Sequence, residues 1–125
     1  MLKKRVSIIV VAVLLCFSIN AFAALYGYNE LVEVEKSSIN TVYSLSTGTN
    51  TFNVAYGGTN TSSIRSMSAT VQYYLNSSYH DYPGSSHTLS AGETDEWRIY
   101  ASPYKMFRLK LSGAGTGTGW IQGLE

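Results

Sequence analysis

From Arg65 to Leu75 the chain alternates without a break: Met67, Ala69, Val71, Tyr73 and Leu75 fall on one side, and Ser66, Ser68, Thr70, Gln72 and Tyr74 on the other. A helix would scatter these apolar positions around its axis, whereas a strand puts them on one face. The same period recurs in Ile39/Thr41/Tyr43/Leu45, Phe52/Val54/Tyr56, Trp97/Ile99/Ala101 and Phe107/Leu109/Leu111. Glu30 to Lys36 alternates Val32 and Val34 with Glu33 and Glu35, and its β-branched residues favour a first strand with solvent-facing glutamates. Trp120-Ile121 reads as the last strand.

Turn residues divide these runs. They are Thr47-Gly48-Thr49-Asn50, Gly57-Gly58-Thr59-Asn60, Asp81-Tyr82-Pro83-Gly84, Ala91-Gly92 and Gly113-Ala114-Gly115. Ser102-Pro103-Tyr104-Lys105 is expected to turn a hairpin running from Trp97 to Leu111, with Glu96 and Arg98 across from Lys110 and Arg108. Seven or eight short strands punctuated in this way predict an all-β fold, an antiparallel β-sandwich or jelly-roll-like barrel. No repeat or low-complexity linker divides residues 24–125, which read as one domain.

The N-terminus reads differently. Met1-Leu2-Lys3-Lys4-Arg5 is a short basic region, Val6 to Ile19 is uncharged and apolar, and Ala21-Phe22-Ala23 is a small-residue cleavage box. Together they predict a cleavable secretory signal over residues 1–23, because the apolar run is shorter than the ~20 residues of a permanent span. Cys16 lies inside that run behind Leu14-Leu15, which does not suit a lipid-modified cysteine. Cleavage removes Cys16, so the exported domain forms no disulfide and depends on packing and strand pairing. The expected localisation is secreted and extracellular, in the style of a bacterial export signal, with cell-wall association left open and no transmembrane span after cleavage.

Cleavage also removes Lys3, Lys4 and Arg5 while all eight acidic residues stay, so the net charge becomes −2. The remaining cations are scattered, which argues against a nucleic-acid partner. The Ser112–Gly119 segment has no following Lys-Ser/Thr pair and reads as a flexible turn rather than a phosphate loop.

Catalytic constellations are thin. Residues 76–87 form the longest expected irregular stretch and contain both histidines, so His80, Asp81 and His87 can be drawn as two imidazoles and a carboxylate around a metal. Their spacing is not that of a known metal motif, and they read as loop residues. A Ser78/His80/Asp81 triad would need adjacent residues to reach triad geometry, and no G-x-S-x-G elbow is present. Glu93, Asp95 and Glu96 read as a solvated acidic turn. The sequence therefore predicts no enzyme, no metal and no cofactor.

Aromatic chemistry is what stands out. Ten tyrosines and two tryptophans occur in the chain, all outside the signal, and several tyrosines are expected to point outward. Tyrosine gives a large contact area with a polar tip at low rotamer cost, which suits recognition surfaces. The candidate ligand-binding residues are Tyr79, His80, Asp81, Tyr82, Tyr100 and Tyr104, and the expected partner is an extracellular carbohydrate or other cell-surface component. A bacteriocin-like antibacterial protein and a self-assembling matrix component are the alternatives. The latter is motivated by Thr51 to Tyr56, read as a weakly charged edge strand open to oligomerisation.

Overall fold

In a computed structural model, the described residues are 31–124. The expected signal and its cleavage box lie outside them. The elements are β1 (Leu31–Lys36), β2 (Val42–Tyr43), β3 (Asn53–Asn60), β4 (Met67–Leu75), β5 (Ser78–Asp81), β6 (His87–Leu89), β7 (Thr94–Ile99), β8 (Phe107–Ser112) and β9 (Gly117–Leu124). They form two antiparallel sheets, so the fold is an antiparallel β-sandwich. The first sheet runs β1-β9-β3-β7; the second runs β2-β8-β4-β5, with β6 also on β4. No helix among the described residues is long and apolar enough to cross a membrane.

The alternation builds the core as the sequence predicts. Met67, Ala69 and Val71 from β4 and Phe107, Leu109 and Leu111 from β8 are fully buried, and they meet Val54, Tyr56 and Ile121 from the facing sheet. The Val, Leu, Ile, Phe and Met side chains among them each stabilise the fold by about 1.5–3 kcal/mol through burial. β1 forms with Glu33 and Glu35 exposed, as expected.

Five expectations are corrected. Trp97 to Leu111 is not a hairpin, because β7 pairs with β3 and β8 pairs with β4 and β2 in the opposite sheet. Glu96 lies across from Gly57, Arg98 from Ala55, Arg108 from Gln72 and Lys110 from Thr70. A Pro-containing connection can carry the chain between layers as readily as it reverses it within one, and local sequence does not separate the two cases.

Gly57 and Gly58 do not turn the chain either. They lie inside β3, where a side chain on Gly57 would place its Cβ 2.5 Å from the Asp95 carbonyl and 3.0 Å from the Trp120 ring. The glycine is there for close approach, not for a bend.

Thr51 to Tyr56 is likewise not an edge, since β3 sits between β9 and β7. The edges are β1 and β7 in one sheet, with β2 and the β5/β6 side in the other.

The expected strand through Ile39, Thr41, Tyr43 and Leu45 shrinks to two residues, and its inward set is reversed: Ile39 and Leu45 are exposed while Val42 packs on the core. Hydroxyls continue the ladder beyond it. Ser44 and Thr47 donate their N–H groups to the Leu109 and Phe107 carbonyls, and their side-chain oxygens accept from the N–H groups of Leu109 and Phe107. The backbone is satisfied without regular strand geometry.

Residues 76–87 are not one irregular loop. Asn76 and Ser77 both have positive φ, at 53° and 66°, and turn β4 tightly into β5. Gln72–Leu75 pair with β5, and Met67–Ala69 pair with β6. The gap between them is closed by the buried Ser85, whose hydroxyl accepts from the Val71 N–H and donates to the Tyr82 carbonyl.

Candidate aromatic binding face

Strand alternation on β4, β5 and β8 sends Gln72, Tyr74, Tyr79, Asp81, Arg108 and Lys110 to the outer face of the second sheet, opposite the core residues between them. Tyr79 lies across from Tyr74, and Asp81 from Gln72. Tyr43 on β2 completes the row, lying across from Lys110.

These side chains form a continuous ladder. The Arg108 guanidinium lies between two rings, 4.2 Å from the Tyr43 centroid and 4.0 Å from that of Tyr79. Arg108 donates from Nε to Gln72 Oε1 at 2.8 Å, Gln72 donates from Nε2 to Asp81 Oδ1 at 2.9 Å, and Lys110 forms a salt bridge with Asp81 at 2.8 Å. The Lys110 ammonium and, next, the Gln72 amide hold the Asp81 carboxyl below its ordinary value, against a smaller opposing effect of burial. Tyr74 meets Tyr79 edge-on at 5.1 Å, and the Tyr79 hydroxyl is hydrogen-bonded to Ser46. Tyr43 and Tyr74 keep 48% and 40% of their surface exposed, leaving ring area open to a ligand.

The candidate residues therefore separate. Tyr79 and Asp81 belong to this outer face. His80 points the other way and packs on Tyr73 at 5.4 Å, where Tyr82 and Tyr104 also gather at the rim of the core. Tyr100 stands exposed beyond β7 and joins neither group.

The imagined metal set is apart as well. His80 is in the Tyr73 group, whereas His87 stacks on Trp97 at 4.3 Å and 8°. Among the described residues no cluster of three metal-ligating groups is present. The His87/Trp97 stack borders a cleft of about 400 Å³ that runs from β7 to the Tyr82–Ser85 turn, with Tyr56 also in its lining. The Tyr56 hydroxyl donates to the Ser85 carbonyl at 2.8 Å, and burial pushes its pKa up to about 12.

Sequence reasoning missed Tyr43, Gln72, Arg108 and Lys110 as parts of one surface. Alternation already put Arg108 and Lys110 outward; what was absent was the knowledge that β8 lies beside β4 and β2.

No family model matches the sequence, and no curated protein matches it. Among solved structures, the Yersinia pseudotuberculosis-derived mitogen is similar at 7% identity and a TM-score of 0.47, covering 78% of this chain and 86% of that one. A Bacillus endospore appendage protein, from disulfide-linked pili, gives 8% identity and a TM-score of 0.47 over 78% and 88%. The Clostridium thermocellum xylanase 10B CBM22-1–GH10 modules, complexed with xylohexaose, give 12% and 0.36 over 76% of this chain and 23% of that one. With TM-scores below 0.5, none of these likenesses bears on function.

Proposed function

We propose that this is a secreted, non-enzymatic protein that binds a cell-surface or extracellular polysaccharide through the outer face of the second sheet. The observation that carries the proposal is the Tyr43–Arg108–Tyr79–Tyr74 row, flanked by Gln72, Asp81 and Lys110. Exposed aromatic rings offer apolar faces to the C–H side of a sugar ring, and the neighbouring amide, carboxylate and cations can exchange hydrogen bonds with its hydroxyls. The row is fixed by its own contacts before any ligand arrives, which lowers the ordering cost of binding.

Co-sedimentation of the purified protein with producer cell walls and a panel of insoluble polysaccharides tests this. Retention on at least one material, reduced at least tenfold by Tyr43→Ala/Tyr74→Ala, is expected. Failure to sediment with every material, or undiminished binding by the folded double variant, would overturn the assignment.

A further inference from the structure

Tyr73 and Tyr104 stack at the rim of the core with centroids 3.7 Å apart and planes within 12°. Aromatic pairs ordinarily keep centroids ~4.5–7 Å apart, so this contact is unusually close. The Tyr104 hydroxyl, ahead of burial, pushes the Tyr73 pKa up, in keeping with this close stacking. Rings stacked this closely and nearly in parallel bring ring carbons of one tyrosine within reach of those of the other.

Surrounding groups hold this arrangement. Tyr82 meets both rings edge-on, at 6.0 and 6.1 Å, and His80 packs against Tyr73 at 5.4 Å. Neither tyrosine is fully buried, so an oxidant can reach the pair.

We propose that Tyr73 and Tyr104 form an oxidative cross-linking site, in which a peroxidase and hydrogen peroxide join them as dityrosine. Each phenol gives up one electron and one proton, and the peroxide is reduced to two waters. The two ring radicals combine into a carbon–carbon bond between ortho carbons. Each of those carbons then loses its hydrogen as a proton, and each oxygen regains one, so both rings become aromatic phenols again. The product is two hydrogens lighter than the starting protein. It ties β4 to the segment ahead of β8, a covalent closure in a domain whose described residues include no cysteine.

The test treats dilute purified protein with a haem peroxidase and hydrogen peroxide, then isolates the monomer. Dityrosine fluorescence, a mass lower by two hydrogens and a cross-linked peptide joining Tyr73 to Tyr104 are expected. Tyr104→Phe should lose the product, and Tyr79→Phe should keep it. Peptide mapping of the unsubstituted protein decides the question even if Tyr104→Phe folds poorly. Monomer that resists cross-linking, or whose cross-link joins other tyrosines such as Tyr74 and Tyr79, would overturn the proposal.

Discussion

The outer faces of the two sheets solve the same problem in opposite ways. On the first sheet, Trp120 lies over Gly57 beside Leu31 and Ala55, forming a second small apolar cluster on the side away from the main core. Trp120 is 7% exposed, and its indole N–H is buried with no hydrogen-bond partner among the described residues. On the second sheet, the corresponding surface carries Arg108 between two tyrosines, and its polar groups are linked in series from Arg108 through Gln72 and Asp81 to Lys110. One face is closed by shape and the other is kept open by satisfied polarity. Stability on the first should therefore depend on volume, and on the second on contacts that can be exchanged with a ligand.

The largest effect expected is on the closed face. Gly57→Val pushes a branched side chain into the Asp95 backbone and the Trp120 ring, and should lower stability by about 3 kcal/mol in urea unfolding. If it costs nothing, Trp120 is free to move aside and the contrast between the faces fails. On the open face, Arg108→Ala removes two ring contacts and the Gln72 hydrogen bond, for an expected loss of about 1–2 kcal/mol. Arg108→Lys keeps the charge but not the planar stacking, and should recover less than half of that loss in the same assay.

The smallest effects separate the faces by pH. The folded-state pKa of Asp81 is depressed below 3.8, so its contribution is present above that value and disappears as the pH falls through the folded one. At its exposure the contribution is under about 1 kcal/mol. Glu33, whose backbone pairs with Trp120, is pushed above 4.5 by partial burial. Its sign is opposite: the ionised form is penalised by folding, and the penalty fades as the pH falls through the raised value. Urea midpoints of Asp81→Asn and the unsubstituted protein, compared at about pH 6 and about pH 3, should therefore lie closer together at the lower pH. Glu33→Gln should be the more stable protein at the higher pH and lose that advantage at the lower one. Identical pH profiles for the two variants would remove the electrostatic part of the contrast.

How much of this was legible in the sequence follows the same division. The main core was readable because period-two alternation in Met67 to Val71 and in Phe107 to Leu111 reports a buried face directly. The closed outer face was not, because Gly57-Gly58 has the composition of a turn, and only the passage of Trp120 over it explains the missing side chain. Lys36 was hidden for a related reason. A lysine ordinarily faces solvent, yet this one is 1% exposed and donates to the carbonyls of Gly115 and Ser38, clasping the Gly113–Gly115 turn that had looked flexible. The open face was half legible. Outward tyrosines were foreseen at Tyr74 and Tyr79, but Arg108 was assigned a partner in a hairpin that does not form. Which strands lie side by side is decided by packing between distant segments, and local pattern carries little of that information.

The strand order has a consequence for how the molecule comes into being. β9 separates β1 from β3, pairing Leu31 with Gln122 on one side and Asn53 with Leu124 on the other. A nascent chain that has not yet reached Gly117 holds two strands of the first sheet with nothing to join them. That sheet can be completed only after synthesis has delivered β9, more than eighty residues beyond the start of β1, and pairings between such distant segments form slowly. Until β9 emerges, β3 can pair only with β7, and β1 must wait without its neighbour in the sheet.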